Sequence, residues 1–428
     1  MKKTFAALVA TAIAATALPA MADLMVPSLS YRTGPYAPNG IPYADGFADY
    51  FTMLNERDGG IGGEKVVVTE CETAYNTEKG VECYESTKGA GALVYNPLST
   101  GITYQLIPKV TADGIPLYTP GYGRTSAANG KVFEWVFNYP ANYWDGASVA
   151  IKHLLDINGG SLEGKKISLV YHNSAYGKEP IRTLTELSKK HGFTLTEVPV
   201  DHPGQEQKSQ WLQIRRDRPD YVLMWGWGVM NAVAIQEAVN INFPMENFIG
   251  IWWSGSENDV IPAGEKANGY KSISFHGTGA DYPVYADLKK YVLEAGKAAG
   301  AGDQSGSVLY SRGMYAAMVI SEGIRAAQAA SGKSAITAAD LRGAMEGLNL
   351  TAERLVELGL PDFAQPIAAT CADHGGPGSA KIYQWDAMAK TWNSASDWIV
   401  SDAEVLDPLI AEDSGAFAAE NNIAERCN

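Results

Sequence analysis

The chain is poor in the residues that dominate metal and redox chemistry. It has four cysteines and six histidines in 428 residues. There is no CxxC pair, and His374 stands alone beside Cys371, so a zinc site has no ligand cluster to form on. The GxSxG elbow, HExxH and the P-loop are all missing, and no histidine sits in a recognisable triad setting. Nothing calls for a cofactor. Past the N-terminus no run reaches the roughly 18–20 apolar residues that a membrane-spanning helix needs. Basic residues are outnumbered, 34 against 48 acidic, for a formal net charge of −14. That balance disfavours nucleic acid and anionic membrane surfaces as partners. It leaves an anionic small ligand open, because local donors set a pocket.

What is present begins with a leader pattern. Lys2 and Lys3 precede the apolar stretch Phe5–Leu18, and Pro19 precedes Ala20-Met21-Ala22, a small-x-small cleavage signature. Residues 1–22 are read as a signal peptide and Asp23 as the mature start, which raises the net charge to about −16. The remaining length exceeds what one hydrophobic core usually organises, so two domains are expected. An even cysteine count in an exported chain suggests disulfides. Of the three pairings, Cys71–Cys83 and Cys371–Cys427 are favoured because each joins nearby or terminal segments.

Short Val/Ile/Tyr-rich runs alternate with amphipathic stretches. Strands are expected at Leu24–Ser30, Lys65–Glu70, Ala92–Tyr95 and Pro116–Tyr118, with helices at Tyr43–Glu56, Thr77–Thr87 and Ile102–Asp113. The rhythm restarts at Trp144 and runs to a strand at Phe248–Trp252. It gives way to a helical section over Val284–Leu348 and a hairpin of Ala380–Trp385 with Thr391–Val400. Such βαβ order implies α/β architecture, with parallel sheets covered by helices on both faces.

Ligands of parallel α/β domains gather at the C-terminal ends of strands. Loop NPLSTGIT places Ser99 and Thr100 just before a helix, where hydroxyls and free amides suit a carboxylate or serve as a plain N-cap. Loop TPGYGRTS carries Tyr122 between Gly121 and Gly123, glycines that let backbone approach a ligand closely. Trp225, Trp227, Trp252 and Trp253 lie at or just past strand ends, where they either anchor the core or stack on a ligand.

The stretches TGPYAPNG, GFADYFTMLNERDGGIGG, DGIPLYTPG, HNSAYGKEP and PDYVLMWGW resemble the periplasmic solute-binding proteins of branched-chain amino-acid type ABC importers. The likeness runs from about Leu24 to Trp385. It implies a type I periplasmic binding protein: two doubly wound lobes joined by three crossing segments, near Tyr139–Tyr143, Phe275–Tyr282 and Gln365–Cys371. The first lobe would comprise 23–141 and 279–366, the second 142–278 and 367–428. The resemblance implies hinge closure over a small-molecule ligand and delivery to membrane permease subunits, without catalysis. A monomer is expected.

Carried over singly, the family's ligand positions fall on Asn39 with Tyr36 nearby, Ser99, Thr100, Gly121, Gly123, Tyr176 and Trp227; Tyr122 joins them from its loop. Where the family places an acidic residue for a ligand ammonium, this chain has Trp252, with Glu257 and Asp259 shortly after. The family's usual disulfide positions fall on Tyr75 and Ser99. The expected ligand is therefore a carboxylate without an α-ammonium, aromatic or otherwise apolar. The alternatives are an amino acid or amide held through Glu257 or Asp259, a quaternary ammonium in a Trp cage, a sensor receptor, or an exported enzyme.

Overall fold

A computed structural model describes residues 23–427. The signal-peptide reading of 1–22 lies outside the described residues. The first lobe opens with β1 (Leu24–Ser30), α1 (Ala37–Arg57), β2 (Val66–Glu72), α2 (Thr77–Thr87), α3 (Thr100–Asp113), β3 (Leu117–Tyr118) and β4 (Val136–Phe137). β1 pairs in parallel with β2, and β3 with β4. The expected strand at Ala92–Tyr95 makes only isolated parallel bridges, from Ala92 to Met25, Asn96 to Ser28 and Tyr95 to Leu117. Those bridges stitch the two pairs into one parallel layer.

The second lobe continues with α4 (Tyr143–Ile157), β5 (Lys166–His172), α5 (Ala175–His191), β6 (Thr194–Val200), α6 (Lys208–Asp217), β7 (Tyr221–Trp225), α7 (Val229–Asn240), β8 (Phe248–Gly250), the short α8 (Glu257–Val260) and β9 (Lys271–Ser274). Its parallel strands lie in the order β6-β5-β7-β8-β9.

The chain then returns to the first lobe. It adds α9 (Val284–Leu288), α10 (Val308–Ser331), α11 (Ala338–Glu346), β10 (Asn349–Leu350), α12 (Ala352–Glu357) and β11 (Ile367–Ala368). α10 crosses α1 at two glycines. A Cβ on Gly46 would stand 2.0 Å from the Tyr310 carbonyl oxygen, and one on Gly313 2.0 Å from that of Tyr43. Only glycine lets the two backbones approach so closely. The cap Thr337 accepts from the Asp340 amide while Asp340 accepts from the Thr337 amide, the reciprocal box that starts α11.

The tail hairpin, β12 (Ser379–Asp386) with β13 (Thr391–Ser394) and β14 (Ile399–Val400), extends the second sheet antiparallel to β9. β11 still pairs with β10, so the third crossing follows Ala368 rather than starting at Gln365. The closing helix α13 (Ala403–Asn421) bridges the lobes. Near its start Asp402 takes Lys190 of the second lobe, while Asp413 takes Arg124 of the first at 2.6 Å. Phe417 then stacks on Phe133 of the first lobe at 4.7 Å. The cysteines pair as Cys71–Cys83 and Cys371–Cys427. Among the described residues no helix is long and apolar enough to cross a membrane.

Candidate functional site

The strand ends of both lobes face each other across a cleft, and the cleft is closed. Tyr31, the residue after β1, donates its hydroxyl to the Leu98 carbonyl at 3.0 Å and accepts from Trp227 Nε1 of the second lobe at 2.9 Å. Tyr36 Oη and His172 Nε2 meet across the lobes at 2.8 Å. Asn39 donates to Asp259 Oδ1 at 3.1 Å, and the Val308 amide at the start of α10 donates to Glu257 Oε2 at 3.1 Å. Tyr104 on α3 donates to Glu179 on α5.

Between these contacts lies a narrow cavity. Its walls are Tyr31, Tyr75, Leu98, Ser99, Thr100 and Tyr122 from the first lobe, with Tyr143, Tyr176, Trp227 and Trp253 from the second. Seven of these ten side chains are aromatic and none is charged. The polar edge is the N-terminus of α3. Ser99 caps it, accepting from the Ile102 amide at 3.4 Å. Thr100 Oγ1 lies 3.3 Å from the Tyr143 hydroxyl and accepts from the Gly123 amide at 3.2 Å. The aligned amides of a helix start favour an anion there. Leu98, in a left-handed conformation at φ 45°, turns the chain into this cap and donates its amide to the Tyr122 hydroxyl at 2.9 Å.

Of the residues singled out from sequence, Ser99, Thr100, Tyr122, Tyr176 and Trp227 meet at this cavity. Tyr36 lines a separate outer chamber, and Asn39 is held in the interlobe contact with Asp259. Gly123 reaches the site only through Thr100. Gly121 is behind the wall, its carbonyl taking Trp252 Nε1 at 2.7 Å and Trp253 Nε1 at 2.8 Å. A Cβ there would come within 2.5 Å of Phe275 and 2.8 Å of Trp252 Nε1.

Trp252 is fully buried and stacks on Tyr143 at 6.2 Å; the indole that lines the cavity is its neighbour Trp253. The register shift has a simple cause: β8 ends at Gly250, two residues before the sequence reading ended it. Tyr31, Tyr75, Leu98 and Tyr143 were not singled out as ligand positions. Tyr31 and Tyr143 border a strand-following loop and a crossing, and that placement is the signal that could have found them.

Glu257 and Asp259 do not line the cavity. Asp259 accepts from Asn39, Asn231 and, twice, Ser256, yet burial still pushes its carboxyl up to about 6. Burial likewise raises Glu257 to about 7 and Glu179 to about 7. Behind the indole wall lies Arg312, fully buried on α10. Its guanidinium rests on Trp253 at 5.0 Å and Phe275 at 5.1 Å. It donates to the Trp252 carbonyl, to Ser274 Oγ at 3.4 Å and to His276 Nε2 at 3.0 Å. His276 therefore carries its proton on Nδ1, toward the Gly277 carbonyl at 2.7 Å. Burial lowers the Arg312 pKa to about 9. No group of three or more His, Cys, Asp or Glu among the described residues could hold a metal ion.

Comparison with known proteins then decides the family. The periplasmic binding protein profile matches residues 24–391. The chain belongs to the periplasmic binding protein family. A crystal structure from the Pseudomonas fluorescens group, named as an ABC transporter permease, is similar at 39% identity over 95% of this chain and 100% of that one, with a TM-score of 0.87. A branched-chain amino acid ABC transporter protein from Thermus thermophilus with bound valine shares the fold at 19% identity, 91% and 98% coverage and a TM-score of 0.74. An R. palustris solute-binding protein in complex with benzoate shares it at 18% identity, 89% and 98% coverage and 0.68. No curated protein matches significantly in sequence. Like its family, the chain has the type I periplasmic binding protein fold.

Proposed function

We propose that this chain is the substrate-binding component of an ABC importer that captures a small aromatic or otherwise apolar carboxylate and hands it to membrane permease subunits. It catalyses nothing, and it reaches the periplasm through the 1–22 leader. Its lobes are 23–141 with 279–368, and 142–278 with 369–428.

The observation that carries the reading is the cavity's composition: seven aromatic walls, the Ser99–Thr100 helix start as the polar edge, and no carboxylate in the lining. A helix N-terminus stabilises a carboxylate. A buried ammonium without a counter-charge would be costly. Glu257 and Asp259 spend their oxygens on Val308, Asn39, Asn231 and Ser256 instead. The raised carboxyl groups of the cleft are thus explained by lobe contacts, not by an acid–base pair facing a substrate. The fold itself accommodates such an acid in the R. palustris protein and valine in the Thermus thermophilus one, so the ligand class rests on the lining.

Isothermal titration with benzoate-type acids and with leucine tests this. Acid binding with no leucine binding is expected, and tight leucine binding with no acid binding overturns it. The aromatic walls also favour a second reading, a quaternary ammonium over ring faces. Choline or betaine binding would establish that one instead.

A further inference from the structure

Two spaces lie end to end in the cleft. The inner one is the narrow aromatic cavity. The outer one is larger and more polar and includes His172, Ser174, His202 and Asn76. Tyr75, Ser99 and Tyr176 belong to the walls of both. These three side chains are therefore the partition between the chambers. Ser99 is fixed as a helix cap, and Tyr176 is tied by its hydroxyl to the Gly226 carbonyl at 2.9 Å. Tyr75 is the remaining part of the partition, and it is held in an unusual way.

Ala74 and Tyr75 are consecutive left-handed residues, at φ 50° and 59°, and neither is glycine. Such backbone persists only where surrounding structure over-determines it, and it clusters at binding sites. Here the turn is pinned on every side. The Thr73 amide and hydroxyl both donate to the Ser30 carbonyl, at 2.8 and 2.9 Å. The Ala74 amide donates to Glu72 Oε1 at 2.9 Å and the Tyr75 amide to Thr73 Oγ1 at 3.2 Å. The Cys71–Cys83 disulfide ties the end of β2 to α2 just before the turn. The outcome is a ring set edge-on to Tyr31 at 5.0 Å and tilted on Tyr36 at 4.3 Å.

We propose that Tyr75 is the specificity-determining residue for ligand length: it ends the inner cavity, so compact ligands are accepted and those with a longer apolar tail are rejected. A longer tail would have to pass Tyr75 into the outer chamber beside His172 and His202, whose rings stack at 5.0 Å. The inference rests on the carboxylate reading for the ligand's charge and is independent of it for length.

The test is titration calorimetry of benzoate, 3-phenylpropanoate and 6-phenylhexanoate, and of the matching neutral amides, against the wild type, Tyr75→Phe and Tyr75→Gly. Glycine adopts a positive φ without strain, so the turn is kept while the ring is removed. We expect the wild type and Tyr75→Phe to bind the longest acid at least roughly tenfold more weakly than benzoate, and Tyr75→Gly to lose that ratio. An unchanged ratio in Tyr75→Gly overturns the proposal, as does equal binding of short and long ligands by the wild type, which needs no variant. Amides that show the Tyr75-dependent ratio where acids do not bind would uphold the length limit and sink the carboxylate reading. If neither series binds, both fall.

Discussion

Asn39 of the first lobe donates its side-chain amide to Asp259 of the second across 3.1 Å. Both residues are buried, and the Asn39 amide has no partner within its own lobe; its other contact is Ser256 Oγ at 3.4 Å, also across the cleft. The bond exists only when the lobes are shut. Asn39→Ala should therefore act on closure more than on folding. A hydrogen bond to a charged group contributes about 1.5–3 kcal/mol, so ligand affinity should fall at least about tenfold. The melting temperature of the unliganded protein should stay nearly unchanged. Calorimetry paired with thermal unfolding separates the two effects.

Closure should take up protons. Asp259, Glu257 and Glu179 each meet a first-lobe donor, and burial raises them to about 6, 7 and 7. In an open molecule these groups return toward water and toward lower pKa values. A carboxyl raised in the closed state favours closing as pH falls through that raised value. His172 opposes this lower down: burial and the neighbouring His202 depress it to about 4, so it disfavours closing below about 6.5. Ligand affinity should thus tighten from pH 8.5 to 6.5 and level off or reverse below. Binding heats at pH 7.5 in buffers of different ionisation enthalpy would report net proton uptake; net release would contradict it.

Ser99→Asp tests the anion edge without removing the cap. Asp is as good an N-cap as Ser, so stability should hold within about 1 kcal/mol. A carboxylate within roughly 4 Å of a bound carboxylate, at an effective dielectric near 20, costs enough to abolish acid binding. Circular dichroism with acid titration gives both readings, and retained acid affinity would remove Ser99 from the site.

Gly121 stands at φ 75°, with two indole donors on its carbonyl and no space for a methyl group. Gly121→Ala should push Phe275 and Trp252 away and weaken closure. Small-angle scattering should then show a more open molecule with ligand present than the wild type gives.

Opening the Cys371–Cys427 bridge removes a closed loop of sequence separation 56. In the chain-entropy account that costs about 4 kcal/mol, against about 3 for the separation of 12 between Cys71 and Cys83. A Cys371→Ser/Cys427→Ser double variant should lose more stability in urea unfolding than Cys71→Ser/Cys83→Ser does.

Much of this architecture was legible in the residues. The strand at Leu24–Ser30 and the helix at Thr77–Thr87 come from local patterns that tertiary packing leaves alone. Tyr176 and Trp227 reach the cavity wall because they follow strands of a parallel sheet. Trp252 was misread through two residues of register: pattern fixes that a strand exists better than where it stops. Tyr75 carried no signal, since its role depends on a backbone conformation that side-chain identity argues against. Helix α13 was also illegible. It is acidic and rich in alanine, and it buries only Leu406, Leu409, Ser414 and Ala418, too few for a clear apolar stripe.

The indoles of Trp252 and Trp253, both fastened to the carbonyl of Gly121 on the opposite lobe, make the protein its own optical gauge. Both bonds to Gly121 exist only while the cleft is shut. Parting the lobes would free both indole N–H groups and expose Trp253, moving the emission to longer wavelength. The intrinsic fluorescence of the native chain, with no dye attached, would then follow the hinge in real time.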